Sequence, residues 1–331
     1  MTKTLTPQRI EWIDCAKGLS ILLVVLGHSV YGMFRGAIFS FHMPLFFIMS
    51  CLTYRLSTDM SQLARKAKKA FVHLVLPALV LFVLMNVGQY LLEKPELNGE
   101  FWRSKGLSLL FASGSQFYIG SVHVPRMGIP WFLIVLFMGR TLFDLLHLKL
   151  GRWFAPVCIL LSVAGVVIGQ YFWLPLSFDV MLVALIFLLF GFWLRRWNFE
   201  VCPWICLICV TAVWAVTLVF TELMDMKYLE MSMRRYPLYP LCLITAAAGT
   251  MMVSQTSSLL VRYLGWLKKP LMFLGEHSLD MLIVHTMDFL WEGLYTFHRH
   301  TLVQAFARIL VDLVIFVGFV YVKKIIKERS K

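Results

Sequence analysis

The stretch KGLSILLVVLGHS, residues 17–29, places an imidazole at the far end of an apolar run. Lys17 precedes the run and His28 closes it. On a helix rising about 1.5 Å per residue, these two side chains lie roughly 16 Å apart along the axis and on nearly the same face. An ionisable group this deep in an apolar helix is energetically costly, so it is by default a candidate functional residue. A cation and a base at the two ends of one face favour a long, phosphate-bearing donor molecule.

The composition of the 331 residues is that of a polytopic membrane protein. Hydrophobic residues make up 60% and charged residues 15%, with a mean hydropathy of +0.76, whereas a soluble domain is about half apolar and a quarter charged. Windows of about twenty apolar residues predict an all-α bundle of about ten transmembrane helices. The windows are 18–34, 38–54, 71–92, 128–147, 153–173, 177–195, 202–221, 237–254, 272–292 and 304–322.

Most of the 31 lysines and arginines fall on the side of the predicted bundle that carries the N-terminus. The positive-inside rule therefore puts both termini in the cytoplasm. The net charge of +13 reflects this bias and an attraction to anionic membrane lipid, so we expect no nucleic-acid partner. The first helix is expected to remain as an anchor, because no small-residue cleavage site follows it. We expect one integral-membrane domain over residues 1–331, and the sequence leaves open whether it forms a homo-oligomer.

The seven cysteines indicate neither a disulfide framework nor a metal site. Their number is odd and they do not cluster outside the predicted spans. Cys202, Cys206 and Cys209 share a helical face, but no histidine lies beside them to complete a ligand set. We therefore expect no bound metal.

Other ionisable residues inside the predicted spans are candidates for the same site as His28. His42 lies across a short turn from His28, so the two imidazoles are expected near one membrane level. His285, Asp288 and Glu292 are spaced to share one face of the ninth predicted helix. Either an acid orients the histidine, or the polar residues hold two helices together.

Two further features leave alternatives open. Asp179 is an acid that could reach the same region, and Arg140 and Asp144 are expected to neutralise each other at a spacing of four. The cluster RKAKK, residues 65–69, is either a topology determinant or a clamp for the phosphates of a cytoplasmic nucleotide.

Two outer segments, 93–127 and 221–236, combine aromatic with polar residues. We expect the first to be a partly ordered loop with a re-entrant or interfacial piece, and both to contact a polar acceptor. The sequence contains no GxxxxGK[ST], GxSxG or HExxH motif. The chain therefore lacks the defining residues of phosphate-loop ATPases, of serine hydrolases with a nucleophile elbow and of zincins.

Four pieces of the chain resemble one membrane enzyme family. RIEWIDCAKGLSILLVVLGHS (residues 9–29) and FHMPLFFIMSCLTYRL (residues 41–56) resemble the start of the integral-membrane acyltransferase-3 family, especially its fucose 4-O-acetylase-like branch of surface-polysaccharide O-acetyltransferases. IPWFLIVLF (residues 129–137) and LGEHSLDMLIVHT (residues 274–286) resemble later spans of that family.

The resemblance implies roles for particular residues. His28 corresponds to the catalytic histidine of an Arg-x10-His arrangement, with Asp14 as the acid that precedes it. Lys17 stands where the family commonly has arginine, which keeps the charge but loses the bidentate fork. A family pair of basic residues falls, by a looser match, at Arg65 and Lys68, which would help to bind the coenzyme.

The resemblance also implies the substrates. The donor is an acyl-CoA, usually acetyl-CoA, which acts as a co-substrate and not as a permanently bound cofactor. The acceptor is a hydroxyl of a cell-surface or lipid-linked glycan, at the bacterial inner membrane. His28 would act as general base, while His42, Trp131 and His285 would bind substrate. A covalent acyl-histidine and direct transfer both remain open.

Two other functions remain open at this point. A proton-coupled transporter or flippase would use His28, His285 and Asp288 as a relay, but it has no need of Lys17 or of the coenzyme. A non-catalytic sensor or scaffold predicts that His28→Ala leaves the cell-surface phenotype unchanged. The sequence determines neither the acceptor glycan nor the acyl chain length, nor which acid supports His28.

Overall fold

The structure, a computed structural model, describes residues 11–196, 203–296 and 302–329. These residues are nearly all helical, and the one sheet among them has two short strands. The predicted all-α class is therefore confirmed.

Within the described ranges the chain forms fourteen α-helices and two β-strands, numbered in chain order. The helices are α1 (Glu11–Ser29), α2 (Gly32–Phe39), α3 (His42–Thr53), α4 (Met60–Ala70), α5 (Leu76–Glu93), α6 (Gly99–Phe111), α7 (Trp131–Leu150), α8 (Phe154–Tyr171), α9 (Phe178–Arg196), α10 (Pro203–Leu223), α11 (Leu241–Tyr263), α12 (Gly265–Glu276), α13 (Ser278–Thr286) and α14 (Leu302–Arg329). The strands are β1 (Phe117–Ile119) and β2 (Val122–Val124).

Seven helical stretches of the described chain are long and apolar enough to cross a membrane, as expected of a multi-pass membrane protein. They are Glu11–Ser29, Gly32–Thr53, Met60–Glu93, Trp131–Tyr171, Pro175–Arg195, Trp204–Leu223 and Leu302–Arg329. Each of the ten predicted windows overlaps helix in the structure. The count of ten spans and the cytoplasmic termini stay predictions.

Helix α1 is central to one half of the bundle, where it contacts α2, α3, α11, α12, α13 and α14. Its contact with α12 is a backbone contact. A Cβ added at Gly275 would lie 1.8 Å from the Asp14 carbonyl oxygen, and one added at Gly18 would lie 2.1 Å from the Leu271 carbonyl oxygen. Small residues allow two membrane helices to approach this closely. The glycine face of α1 is therefore closed against α12.

Helix α9 is central to the other half. Residues 180–185 are all buried, and α9 packs against α3, α7 and α8. Helices α5, α10 and α14 instead expose many large apolar side chains. Exposed apolar surface of that extent is typical of helices that face lipid.

Segment 93–127, predicted as a partly ordered loop, contains regular structure. Segment 93–127 contains α6, which begins after Asn98 with the Asn98 side chain accepting a hydrogen bond from the Phe101 amide at 3.0 Å. It also contains the β1–β2 hairpin. The turn between the strands includes Gly120 with φ at +58°, a left-handed value that glycine adopts without strain.

Segment 221–236 is fixed by a buried ion pair. Arg234 donates to Asp179 through Nε at 2.8 Å and Nη2 at 3.3 Å, and to the Ser113 hydroxyl through Nη1 at 2.8 Å. Its guanidinium also lies 4.0 Å from the centre of the Trp173 ring. The Asp179 carboxylate therefore holds a loop in place and does not support His28.

We expect Gly275→Ala to destabilise the bundle, because the added methyl group has no room against the Asp14 carbonyl oxygen. Overpacking of this kind costs about 1–3 kcal/mol, which outweighs the roughly 1 kcal/mol that alanine gains over glycine in a helix. Thermal unfolding of the purified protein in detergent would show a lower midpoint.

The matched control is Gly318→Ala on α14, where an added Cβ meets nothing within 4 Å. Its midpoint should stay the same or rise slightly. Equal midpoints for Gly275→Ala and the wild type would contradict the close α1–α12 contact.

Candidate active site

A cavity of about 680 Å³ runs alongside α1 and is lined by both Lys17 and His28. Its volume is within the range of pockets that hold a drug-sized ligand. His28, His42 and His285 line one part of it, which we call the histidine end. Lys17 and Arg140 line another part, which we call the Lys17 end.

The two ends are separated by most of the length of α1 and α3. Helix α3 begins at His42, in the histidine end, and runs to Thr53. Tyr54 follows directly, and the Arg140 guanidinium lies 4.4 Å from the centre of the Tyr54 ring. A helix of this length spans about 18 Å. Arg140 is therefore at the far end of the cavity from His28.

The ring of His28 is exposed to the cavity. Its centre lies 5.2 Å from that of Phe39 and 5.4 Å from that of His285. His42 also packs against Phe39, with its ring centre 4.3 Å from that of Phe39. The Nδ1 of His42 lies 3.3 Å from the Phe39 carbonyl oxygen, and because a carbonyl only accepts, this nitrogen donates. Phe39 thus contacts two imidazoles that line one cavity.

His285 is buried and held by two carboxylates. Its Nδ1 lies 3.2 Å from Asp288 Oδ2 and 3.3 Å from Asp312 Oδ2. Trp291 Nε1 also donates to Asp312, at 3.0 Å. Because both neighbours are acceptors, Nδ1 carries a proton, and Nε2 is the ring nitrogen that neither carboxylate contacts. This Nε2 is buried and has no hydrogen-bond partner among the described residues.

Arg308 of α14 connects this acidic pair to the end of α1. Its Nε donates to Asp288 at 2.7 Å, and its Nη2 bonds the same carboxylate oxygen. Its Nη1 donates to the His28 carbonyl oxygen at 3.3 Å and to the Ser29 hydroxyl at 3.2 Å. A cation at a helix C-terminus is favourable, since the last carbonyl groups have no partner within the helix. Arg308 therefore fixes the turn of α1 that carries His28.

At the Lys17 end, the basic groups are accompanied by acids. Lys17 Nζ lies 3.7 Å from Asp14 Oδ1. The expected Arg140–Asp144 ion pair is absent from the described chain: Asp144 accepts from the Tyr54 hydroxyl and from the Ser57 hydroxyl, each at 2.7 Å. Arg140 instead stacks on Tyr54, and its Nε is buried without a hydrogen-bond partner within the described ranges.

The structure brings together most of the residues that the sequence singled out. Those that line the cavity are Lys17, His28, His42, Trp131 and His285.

Three other candidates lie outside the lining. Asp14 contacts Lys17 and not His28. Arg65 and Lys68 are exposed on α4. Helix α4 begins after Asp59, whose carboxylate accepts hydrogen bonds from the Ser61 hydroxyl and the Gln62 amide, and these bonds lower the pKa of Asp59 to about 2.

One expected grouping is wrong. The sequence spacing put Glu292 on a helical face with His285 and Asp288, but α13 ends at Thr286. Asp288 and Glu292 lie in two separate 3-10 turns that follow it. The second carboxylate beside His285 belongs to Asp312 of α14 and not to Glu292.

His285, Asp288 and Asp312 also have the residue types of a metal site, with ligand atoms within 4.8 Å of one another. The Arg308 guanidinium already lies against Asp288. A cation there would be repelled by that charge. The geometry thus agrees better with a proton-bearing histidine held by two acids than with a metal centre. Of the cysteines considered above, Cys202 lies outside the described residues.

The sequence reasoning missed Arg308 and Asp312, which together position His285 and the end of α1. Both are charged residues inside an apolar helix, four positions apart. An intramembrane charge is by itself a reason to expect function, and that signal was present in the last predicted window. Arg35, which lines the histidine end, was missed because it lies in the short segment between two spans.

Comparison with known proteins adds the family. A family model described as an acyltransferase domain matches residues 10–325. The chain belongs to this family, acyltransferase-3. No match was found among curated proteins or among solved structures. The protein is therefore a membrane acyltransferase, and the cavity between Lys17 and His28 is the candidate active site of this enzyme.

We expect Arg308→Gln to lower acyl transfer by roughly 10²-fold, because the His28 turn loses its anchor and small displacements of a catalytic group have effects of that size. It also leaves Asp288 buried without its cation, which destabilises by about 3–5 kcal/mol. Transfer rates and thermal midpoints of the purified enzyme measure both effects.

Lys324→Gln, an exposed cation on the same helix, is the control and should behave like the wild type. The transfer rate and thermal midpoint of Arg308→Lys should lie between those of Arg308→Gln and the wild type. Lysine keeps the positive charge but lacks the forked guanidinium that binds both partners. Wild-type rates in Arg308→Gln would contradict the anchoring role.

Proposed function

We propose that the protein is an O-acetyltransferase that moves an acetyl group from acetyl-CoA to a hydroxyl of a cell-surface or lipid-linked glycan. The observation that carries the proposal is a single cavity lined by a cation at one end of α1 and by an accessible imidazole at the other. The family supplies the reaction class, acyl transfer. The glycan acceptor and the fucose 4-O-acetylase-like branch follow the resemblance of residues 9–56.

The donor would bind with its phosphates at the Lys17 end. Lys17 and Arg140 both line that end, and charge-assisted hydrogen bonds to phosphate are among the stronger polar contacts in proteins. The roughly 16 Å between Lys17 and His28 suits an extended pantetheine arm that carries the thioester to the histidine end. Because Arg65 and Lys68 lie outside the lining, their role in this proposal is limited to attracting the coenzyme to the membrane surface.

The reaction follows from an accessible imidazole. His28 takes the proton of the acceptor hydroxyl as the oxygen attacks the thioester carbonyl carbon. The carbon–sulfur bond then breaks, the new ester leaves with the acetyl group, and the proton passes from the imidazolium to the departing CoA sulfur. Exclusion of water from the reacting carbonyl by the surrounding apolar helices would protect the thioester from hydrolysis.

The acceptor would be held by the remaining polar groups of the histidine end. The unpartnered Nε2 of His285 would form a hydrogen bond with a sugar hydroxyl, and burial without such a bond is unfavourable. Trp131, buried at the start of α7, offers an aromatic wall. His42 presents its own ring beside Phe39. The enzyme would lie in the bacterial inner membrane with both termini in the cytoplasm, so that coenzyme and glycan meet from opposite sides.

The family match does not favour a proton-coupled transporter or flippase. In the structure the His285–Asp288 pair is occupied by Arg308, so it is better suited to holding a histidine than to passing protons. The His28→Ala variant tests the sensor or scaffold hypothesis, which predicts an unchanged phenotype.

We expect His28→Ala to lower acetyl transfer by roughly 10²–10⁴-fold, the usual contribution of a well-placed general base. The assay follows radiolabelled acetyl from acetyl-CoA into the glycan fraction of membranes that contain equal amounts of each protein. His73→Ala, which removes an exposed histidine outside the cavity lining, is the control and should keep wild-type activity. Normal transfer by His28→Ala would overturn the mechanism.

Lys17→Ala should act on the donor alone. Loss of a charged contact to phosphate corresponds to about 1.5–3 kcal/mol, so the KM for acetyl-CoA should rise roughly 10- to 100-fold. The KM for the glycan should change little, because His28 and His285 remain in place. An unchanged KM for acetyl-CoA would place the coenzyme phosphates elsewhere, with the α4 cluster as the next candidate.

A further inference from the structure

The histidine end carries positive charge that the acetyl-CoA reaction does not require. Arg35, Lys105 and Arg126 all line the cavity. They come from α2, α6 and the segment after β2, so three separate parts of the chain contribute them. None of the three has a carboxylate within salt-bridge distance among the described residues.

The acids that line the same region are already engaged. Glu230 accepts from the Ser232 hydroxyl at 3.3 Å and lies 3.8 Å from Arg235. Asp288 is bound by Arg308 and His285. Glu93 partly offsets the charge of Lys105, so the net positive charge of this part of the cavity wall comes mainly from Arg35 and Arg126.

Arg35 is the member of this set that lies beside the catalytic histidine. Its guanidinium carbon is 4.7 Å from the centre of the Phe39 ring, against which His28 packs at 5.2 Å. Its Nε is buried and has no hydrogen-bond partner in the described ranges. A buried donor left unpaired costs about 1–3 kcal/mol. A bound substrate that supplies a hydrogen-bond acceptor would remove this cost.

We propose that the acceptor is anionic, with an oxyanion held by Arg35 while a neighbouring hydroxyl faces His28. This inference rests on the proposed function and names the acceptor class for the same site. The coenzyme does not account for the charge, because its phosphates belong at the Lys17 end, roughly 16 Å away along α1, and its pantetheine arm is uncharged. Lys105 and Arg126, which also line the cavity, raise the local concentration of an anionic substrate.

Two kinds of acceptor carry an oxyanion of this sort. One is a carboxylate on the glycan itself, as in a uronic acid residue. The other is the diphosphate that joins a neutral glycan to its lipid. A guanidinium bonds either group through two parallel hydrogen bonds, so the experiment must separate them.

The test uses the purified full-length protein in lipid nanodiscs with radiolabelled acetyl-CoA. One pair of acceptors is an oligosaccharide containing glucuronic acid and the same oligosaccharide with its carboxyl groups reduced to alcohols. The second pair is a neutral oligosaccharide, free or linked to polyprenyl diphosphate. Each acceptor is also measured for equilibrium binding without acetyl-CoA. The variants are Arg35→Gln, Arg35→Lys and, as a control, Arg103→Gln, which removes an exposed cation of α6 outside the lining.

We expect the wild type to prefer one anionic acceptor over its neutral partner by roughly 10- to 100-fold in kcat/KM and in binding, as for a charged hydrogen bond. The pair that shows the preference identifies the source of the charge. Arg35→Gln should abolish the preference, Arg35→Lys should retain part of it, and Arg103→Gln should retain all of it.

Equal use of charged and neutral acceptors by the wild type would overturn the anionic acceptor while leaving the acetyltransferase intact. A preference that survives in Arg35→Gln would equally overturn the role of Arg35. If no acceptor is acetylated but anion binding still depends on Arg35, the anion site stands and the proposed reaction falls.

Discussion

The backbone contact between α1 and α12 is the constraint on which the rest of the site depends. Gly18 and Gly275 let the two helices touch, so one face of α1 is closed by protein. A neighbouring face, which carries Lys17 and His28, remains open to the cavity. A single helix thereby sets the distance between the Lys17 cation and the His28 imidazole. Side chains at either glycine would push α12 away from α1 and displace the part of the cavity wall that α12 contributes, Gly275 and Glu276.

The electrostatics of the histidine end follow from burial. In a low-dielectric interior a charge must be paired or hydrogen-bonded. This requirement is met within one group of side chains, formed by Asp288, Asp312, His285 and Arg308. Arg308 also binds the last turn of α1. Arg35 is different, because part of its guanidinium is buried without such a partner in the described chain. The paired group holds the turn of α1 that carries His28, and the unpaired Arg35 is the group that we propose binds the substrate.

The sequence predicted those features that arise within one helix. The spacing of Lys17 and His28 placed both on one face, and both line the cavity; the spacing of His285 and Asp288 predicted their contact. Features that require two distant helices to meet were not predictable, as with Arg308, which lies 280 positions from the carbonyl group it binds. Helical spacing also failed at Glu292, because the helix ends six residues earlier at Thr286. The exposed position of Arg65 likewise depends on how α4 packs.

We propose that one cavity holds the coenzyme phosphates near Lys17 and presents the acetyl group to His28. The most direct measurement is a cryo-EM reconstruction of the protein with a non-hydrolysable acetyl-CoA analogue. The account predicts density for the phosphates at the Lys17 end and the acetyl carbonyl beside the His28 ring. Phosphates bound along the exposed face of α4, with the acetyl group outside the cavity, would contradict it.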